Sequence, residues 1–399
     1  MRGSPVTTAM HVLIVSEMSP PYATGGGEKR YAILARELVK LGHQVNWLSM
    51  RQKDSADAEE VDGVCHLHVG PRIVRPPVRS FFAKLRFMLS VIAYLARNRP
   101  DVVDCQTYAP LPAAWFICKL RGIPLVATIH DTSTASSNKP VADQWMSAWD
   151  GWLAGFVERG LYRLSYSRVL TVSEAVKDML VQRMGLAQSS ISVVPNGIDI
   201  GAIESIAPHP SPTDLIFVGR MVPHKHPEVF LEVAARLSAG RKDQGLKPLR
   251  LRMIGGGPLA TSIRAHADNY GVSEELEWLG ELESHSDVIA HVKSARVLVL
   301  PSTREGFGLV LAEAMACGTA FAAYSIAPVA ETAGPELADC LAMPADLGQL
   351  ARVVSLLVED ADCWAERVAL GKARVREKFG AESFARSTIG VYQIAISTA

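Results

Sequence analysis

The sequence lacks a long apolar run, and it lacks an excess of charge of either sign. No stretch approaches the about 20 apolar residues that a membrane-spanning helix needs. The N-terminus has no apolar run beyond Val12–Val15, which is too short for the core of a signal peptide. The chain carries 41 basic and 41 acidic residues, whereas a nucleic-acid-binding protein usually shows a concentrated basic excess. We therefore expect a cytoplasmic protein that binds no nucleic acid.

Cysteines are few and scattered. None forms a C-x2-C pair or lies in a cluster of histidines, so the spacing predicts neither a zinc site nor a disulfide framework. Free thiols are typical of the reducing cytoplasm. The six cysteines are Cys65, Cys105, Cys118, Cys317, Cys340 and Cys363.

Length and composition indicate a globular protein of several domains. Of the 399 residues, 48% are apolar and 21% are charged, which is enough apolar material for more than one core. At about 150 residues per domain, the length suggests two or three domains. We predict a disordered N-terminus or tag at 1–9, an N-terminal domain at 10–205, a C-terminal domain at 206–380 and a final helix at 381–399.

Short apolar runs alternate with helical patterns in both halves of the chain. The run His11–Ser16 precedes a helix pattern at Glu28–Leu41 and a second run at Val45–Leu48. A second series of the same kind begins at Asp214–Arg220. This alternation predicts α/β domains with parallel, doubly wound sheets. Because such sheets bind ligands at the carboxyl ends of their strands, residues that follow a strand are the candidate site residues.

The most informative stretch lies late in the second half. The apolar run Arg296–Pro301 predicts a buried strand, and a helix pattern covers Leu309–Cys317, where Gly318 ends it. The first turn of a helix has free N–H groups and partial positive charge, which favour an anion such as phosphate. Gly306 and Gly308 allow a ligand to lie against the main chain.

Two carboxylates flank this anion site. Glu305 lies on the loop, and Glu313 follows eight residues later within the helix. Carboxylates are poor phosphate ligands but good acceptors for sugar hydroxyls, so the pattern indicates a sugar joined to a nucleotide through phosphates. The alternative is an ordinary strand–helix turn with two surface acids.

Two cations follow the first strand of the second series. Arg220 and Lys225 lie five residues apart in one strand–helix loop. Arginine can bind two oxygens at once and lysine supplies a point charge, so the pair suits a diphosphate. Without a ligand, the two residues would be ordinary surface cations.

The first half offers a glycine loop and a histidine at a strand end. Gly25, Gly26 and Gly27 follow the first strand but do not have the G-x-G-x-x-G spacing of a dinucleotide site. His130 follows the run Leu125–Ile129, where a neutral imidazole can donate one hydrogen bond. The alternatives are a flexible turn and a histidine that only caps a turn.

These elements and their order resemble the retaining GT-B glycosyltransferases of the family 4 (glycosyl transferases group 1) type. The resemblance covers nearly the whole chain. It implies two facing Rossmann-like domains with parallel sheets and an interdomain active-site cleft, an N-terminal domain that binds the acceptor, a C-terminal domain that binds the nucleotide sugar, and a final helix that crosses back to the N-terminal domain.

The resemblance also implies roles for the site residues. The first acid of the family's E-x7-E element, here Glu305, holds hydroxyls of the donor sugar, and the second, here Glu313, holds the ribose. Arg220 and Lys225 hold the diphosphate, and His130 contacts the donor sugar or its phosphate side. The implied catalytic residues are His130, Arg220, Lys225 and Glu305. The implied donor-binding residues are Gly25, Gly26, Arg220, Lys225, Glu305, Gly306, Phe307, Gly308, Leu309 and Glu313.

The implied reaction is transfer of a hexosyl-type sugar, with retention, from a nucleoside-diphosphate sugar to a hydroxyl acceptor. That acceptor is a lipid carrier, a glycan or a small natural product. No cofactor is implied, and because two cations already neutralise the diphosphate, we predict that no metal is needed. One alternative is a nucleotide-sugar epimerase or hydrolase of the same architecture. A second is an NAD(P)-dependent dehydrogenase, since Gly255–Ala260 formally fits G-x-G-x-x-A, although Pro258 removes one N–H donor.

Residues 72–99 combine basic and apolar side chains without an acid. This composition predicts a basic amphipathic helix. Three interpretations stay open: peripheral contact with the inner face of a membrane, binding of an anionic acceptor, or packing on the core with the basic side chains in solvent. The basic residues are Arg72, Arg75, Arg79, Lys84, Arg86, Arg97 and Arg99.

Overall fold

The structure is a computed structural model, and it describes residues 9–22, 25–52, 54–73, 80–131 and 158–399. These residues form two compact units. The first contains the described residues up to Gly197 together with Ala381–Ala399, and the second contains Ile198–Gly380. The predicted N-terminal tail, apart from Ala9, and the basic residues Arg75 and Arg79 lie outside the described residues.

The first unit is built on an eight-stranded sheet with the order β3-β4-β2-β1-β5-β6-β7-β8. Neighbouring strands are parallel, except that β3 and β4 form an antiparallel pair at one edge. The strands are His11–Val15 (β1), Gln44–Gln52 (β2), Ala58–Val61 (β3), Val64–Ile73 (β4), Val102–Gln106 (β5), Leu125–Ile129 (β6), Arg168–Thr171 (β7) and Ile191–Val193 (β8). The helices of this unit include Gly26–Lys40, Phe81–Arg97, Pro110–Arg121, Glu174–Met184 and Ala381–Ser397.

The burial of the strands explains which of them the sequence predicts. Every residue of β6 is buried, as expected for a parallel strand covered on both faces. Strand β3 is short, polar and largely exposed at the sheet edge, so it carries no apolar pattern. The sequence therefore does not predict the β3–β4 hairpin.

The final helix, Ala381–Ser397, belongs to the core of the first unit. Its residues Phe384, Ile389 and Tyr392 are buried in the same apolar cluster as Tyr31 and Leu34 of the first helix. The amphipathic pattern of the helix is therefore satisfied within this unit.

The second unit is built on a six-stranded parallel sheet with the order β11-β10-β9-β12-β13-β14. The strands are Thr213–Val218 (β9), Leu251–Ile254 (β10), Leu276–Gly280 (β11), Ala295–Leu300 (β12), Ala320–Tyr324 (β13) and Leu341–Ala342 (β14). The helices include Ile200–Ser205, Pro227–Asp243, Ala260–Tyr270, His285–Lys293, Leu309–Cys317, Ala327–Ala333, Leu347–Glu359 and Ala361–Lys378, with 3-10 turns at Pro223–Lys225 and Pro335–Cys340.

This strand order predicts a ligand site beyond the ends of two particular strands. The chain runs from β9 outward to β10 and β11, then returns to the other side of β9 as β12. In doubly wound sheets, ligands bind where the order reverses in this way, beyond the carboxyl ends of the two central strands. Here those ends are followed by the loop that holds Arg220 and Lys225 and by the loop that holds Glu305.

No helix in the described ranges is long and apolar enough to cross a membrane. The predicted basic helix forms at Phe81–Arg97, inside the predicted range of 72–99.

Candidate functional site

The turn before helix Leu309–Cys317 has the geometry of an anion site. The helix has the predicted bounds, and its caps Gly308 and Gly318 have left-handed φ angles of 87° and 77°. Residues with a side chain rarely adopt this conformation. The Leu311 N–H donates to the Gly308 carbonyl at 2.9 Å. The amides of Leu309 and Val310 therefore form the open end of the helix, where the dipole is positive.

Phe307 stabilises this turn through its buried side chain and its carbonyl oxygen. Its side chain is 5% exposed and meets Phe379 edge-on, with ring centroids 5.2 Å apart. Its carbonyl oxygen accepts a hydrogen bond from the Thr332 hydroxyl at 2.6 Å. Any contact of Phe307 with a ligand therefore comes from its main chain, and its ring supports the turn.

Lys225 and Glu305 form an ion pair at the carboxyl ends of β9 and β12. The Lys225 Nζ lies 2.5 Å from Glu305 Oε1, and only 17% and 11% of the two side chains are exposed. Arg220 is exposed, two residues after β9 ends. A Cβ placed on Gly219 would lie 4.0 Å from Lys225 Cδ, so the lysine stem passes beside the residue that precedes Arg220. The structure thus brings Lys225 into contact with the first predicted acid, and Arg220 lies at the start of the loop that holds Lys225.

His226, which the sequence analysis did not identify, joins the loop that holds Lys225 to the loop that holds Glu305. It has a φ of 47°, although it is not glycine. Its Nε2 lies 3.0 Å from the Thr303 hydroxyl, and its Nδ1 lies 2.8 Å from Glu228 Oε1. The Thr303 N–H also donates to the His224 carbonyl at 2.9 Å. The two contacts that involve Thr303 hold the Lys225 loop against the Glu305 loop, and the contact with Glu228 orients the His226 ring.

The glycine turn after β10 supports the Arg220 loop. A Cβ on Gly257 would lie 2.6 Å from the Met221 carbonyl oxygen, and one on Gly255 would overlap the Gly219 carbonyl. The Met221 N–H donates to the Gly256 carbonyl at 2.8 Å. These glycines are therefore required for close packing of main chain against main chain. The G-x-G-x-x-A spacing at Gly255–Ala260 is accounted for by this packing, so the spacing alone does not support the dinucleotide alternative.

Glu313 is held by a second histidine that the sequence analysis missed. Glu313 is 7% exposed, and its Oε1 lies 3.1 Å from Nε2 of His285, the first residue of helix His285–Lys293. This contact orients the carboxylate of the second predicted acid. No local sequence signal marks His285, because its partner lies in a different strand–helix unit.

In the first unit, the glycine loop lies beside His130. Gly25 is the N-cap and Gly26 the first residue of helix Gly26–Lys40. A Cβ on Gly27 would lie 2.5 Å from Gln106 Nε2 and 3.5 Å from His130 Nε2. Gly27 is therefore the glycine that allows close approach to His130. Gln106, at the end of β5, is a polar group that the sequence analysis missed.

The environment of His130 keeps its imidazole neutral. Burial, together with the nearby Arg30 guanidinium, lowers the pKa of His130 to about 3. Its ring packs edge-on against Tyr31, with centroids 5.9 Å apart. Within the ranges that the structure describes, the buried His130 Nε2 has no hydrogen-bond partner. A neutral imidazole in this position can donate one hydrogen bond to a ligand or accept one from it.

The predicted site residues thus fall into one group on each unit. The first unit carries Gly25, Gly26 and His130. The second carries Arg220, Lys225, Glu305, Gly306, Phe307, Gly308, Leu309 and Glu313.

Two family models together cover most of the chain. Residues 24–201 match the family described as Glycosyltransferase Family 4. Residues 202–374 match the family described as Glycosyl transferases group 1.

Individual relatives and solved structures agree with these matches. A glycogen synthase of Mycobacterium tuberculosis is 25% identical over 409 aligned positions, which cover 96% of this chain and 94% of the relative. The fold is similar to that of sucrose-phosphate synthase from Thermosynechococcus elongatus, with a TM-score of 0.80, 20% identity and coverage of 98% and 100%. It is also similar to Anabaena HepE in complex with UDP and glucose, with a TM-score of 0.72, 16% identity and coverage of 96% and 99%.

Proposed function

The chain belongs to the glycosyltransferases of the family 4 type, enzymes with the GT-B fold, and from this membership we propose that it transfers a hexosyl-type sugar from a nucleoside-diphosphate sugar to a hydroxyl acceptor with retention at the anomeric carbon. The observation that carries the proposal is the Lys225–Glu305 pair at the end of β9 and β12, beside the open end of helix Leu309–Cys317. This arrangement offers positive charge to a diphosphate and a carboxylate to sugar hydroxyls.

The cations act on the charge that develops as the donor bond breaks. Arg220, Lys225 and the first amides of helix Leu309–Cys317 stabilise the departing diphosphate, and this electrostatic contribution is often the largest in catalysis. Because Glu305 already contacts Lys225, its carboxylate is oriented by that cation and is not a free nucleophile. We propose attack on the face that the diphosphate leaves. The acceptor oxygen forms the new bond to the anomeric carbon, the bond to the diphosphate breaks, and the acceptor proton passes to a diphosphate oxygen.

The two cations also make a metal ion unnecessary. Arg220 and Lys225 together supply two positive charges, which is the charge that a divalent ion would otherwise bring to the diphosphate. We therefore expect that transfer persists in EDTA. A loss of activity that Mg²⁺ or Mn²⁺ restores would contradict this expectation.

The donor and the acceptor are proposed as classes. The presence of UDP and glucose in the HepE structure supports a nucleoside-diphosphate hexose as donor, and the glycogen synthase relative supports a glycan among the acceptors. Lipid carriers and small natural products are the other hydroxyl acceptors proposed.

A donor screen followed by product analysis tests the proposal. A thermal-shift panel of UDP-, GDP-, ADP- and dTDP-sugars identifies the donor, and the sugar linkage in the product of that donor is then determined by NMR. We expect a product with the anomeric configuration of the donor. An inverted linkage would contradict retention. Conversion of the donor at full rate without any acceptor would favour the epimerase or hydrolase alternative.

Replacing His226 tests the tie between the two loops. We expect His226→Ala to raise the donor KM about tenfold with a smaller change in kcat, because two hydrogen bonds that hold the Lys225 loop are lost. His226→Gly is the matched control, since glycine accepts the positive φ without restoring either hydrogen bond. If His226→Gly had the donor KM of the original protein, only the backbone conformation would matter at this position.

Glu313→Ala should weaken binding of the nucleoside diphosphate about 10- to 100-fold, because a buried carboxylate no longer accepts from the ribose hydroxyls. Calorimetry measures the affinity for the ribonucleotide and for its 2′,3′-dideoxy analogue. The original protein should discriminate between the two ligands and the variant should not. Glu283→Ala, at an exposed acid two residues before His285, is the control. Equal discrimination in the Glu313 variant would refute the ribose contact.

A further inference from the structure

We propose that the first unit docks on an anionic lipid surface through the outward faces of helices Phe81–Arg97 and Pro110–Arg121. This inference does not depend on the donor, the acceptor or the stereochemistry of transfer. It is tested by binding alone, so its failure would leave the proposed function untouched.

Helix Phe81–Arg97 is apolar on two opposite faces. Its inner face packs into the core through Phe87, Val91 and Leu95, each of which is fully buried. Its outer face is also apolar, although a surface helix normally presents polar residues there. The outer side chains follow helical spacing and are strongly exposed: Phe81 (72%), Phe82 (74%), Leu85 (39%) and Leu89 (56%).

The neighbouring helix also exposes apolar side chains. Helix Pro110–Arg121 packs into the same core cluster. The two helices are also joined by hydrogen bonds from the Arg121 guanidinium to the carbonyls of Leu95 (2.5 Å) and Asn98 (3.0 Å). Phe116 and Leu120, one helical turn apart, are 55% and 73% exposed. Clustered exposed aromatic and leucine side chains of this kind mark an interaction surface.

The basic residues around the exposed apolar side chains favour an anionic partner. Neither helix contains an aspartate or glutamate, and Arg86, Arg97 and Lys119 are exposed. Lys84, half-buried on the other flank, faces the carboxylate of Glu17. A second copy of this chain would bring arginines against arginines with no acid in either helix to pair with them. An anionic bilayer offers both hydrocarbon for the phenylalanines and negative charge for the basic residues.

Flotation with lipid vesicles tests the proposal. The protein should bind vesicles of phosphatidylglycerol and phosphatidylcholine in low salt, bind pure phosphatidylcholine much less, and be released from the anionic vesicles by high salt. Phe81→Ser/Phe82→Ser should lower the partition coefficient at least about tenfold. Arg86→Glu/Arg97→Glu should also lower it at least about tenfold, because each basic residue near an anionic surface strengthens binding about fivefold.

Matched controls are available on the second unit. Met343→Ser/Leu356→Ser removes two side chains that are 62% and 49% exposed, and Lys242→Glu/Lys247→Glu reverses two exposed lysines. Both controls should bind vesicles like the original protein, and all variants should keep its melting temperature because the changed residues are exposed. The proposal is overturned if the original protein binds neutral and anionic vesicles equally. It is also overturned if the Phe81/Phe82 variant binds as well as the original, or if that variant converts a dimer in solution into a monomer.

Discussion

Lys225→Ala should lower kcat/KM about 100- to 1000-fold, which is the loss typically seen when one group that stabilises developing negative charge is removed. The effect should appear mainly in kcat, because the diphosphate carries more charge in the transition state than in the bound donor. Steady-state kinetics with saturating acceptor measures it. Circular dichroism should show an intact fold, since Lys225 lies on a loop and contributes no apolar side chain to the core.

The partner of Lys225 provides the sharpest control for this prediction. Glu305→Ala should lower kcat/KM severely in the original protein. The same change should lower kcat/KM much less in the Lys225→Ala background, because the two side chains form one ion pair at 2.5 Å. Lys247→Ala, at an exposed lysine of the same unit, should change nothing. If the Lys225 and Glu305 losses were simply additive, the two residues would act independently and the pair would have no joint role. Near-normal turnover of Lys225→Ala would reject its assignment outright.

The elements that the sequence predicts well are those whose signals are local. The bounds of helix Leu309–Cys317 follow from a strand end before it and a glycine after it, and the structure confirms both bounds. The doubly wound parallel architecture follows from the alternation of apolar runs and helical patterns, and it is confirmed. In each of these cases, the information lies within about 20 residues of the element that it specifies.

The contacts that the sequence does not predict join residues far apart in the chain. Lys225 and Glu305 are 80 positions apart, and His226 and Thr303 are 77 apart. They meet because β9 and β12 are neighbours, and strand order has no local signal. The glycine turn at Gly255–Gly257 fits a nucleotide motif by spacing, yet the structure shows it packed against the Arg220 loop. A glycine pattern alone therefore does not reveal whether a ligand or the protein's own backbone occupies the space beside it.

A second long-range contact that no pattern predicts lies in the core of the first unit. Asp104 is 1% exposed and accepts hydrogen bonds from three hydroxyls on separate elements: Tyr31 at 2.8 Å, Thr128 at 2.6 Å and Tyr392 at 2.7 Å. In the sequence, Asp104 only interrupts an apolar strand. In the structure, Asp104 on β5 joins the first helix, β6 and the final helix, and its partner Thr128 on β6 lies two residues before His130.

Asp104→Ala should destabilise the protein by about 3–5 kcal/mol, because three buried hydroxyls lose their acceptor while no water takes its place. Chemical denaturation followed by circular dichroism measures the change. Glu382→Ala, at an exposed residue of the final helix, should cost less than about 0.5 kcal/mol and serves as the control.

The decisive measurement is the change in unfolding free energy that Tyr392→Phe causes in the original protein and in the Asp104→Ala variant. The two changes should differ in sign. In the original protein, this change removes a satisfied hydrogen bond and should cost about 1 kcal/mol. In Asp104→Ala, the same hydroxyl is buried without its acceptor, so removing it should be neutral or stabilising. An equal cost in both backgrounds would show that the Tyr392 hydroxyl does not depend on Asp104. The reversal is expected because the penalty lies in the unsatisfied hydroxyl rather than in the absent contact. The same reasoning explains why a single buried acid can anchor the final helix beside the strand that leads to His130.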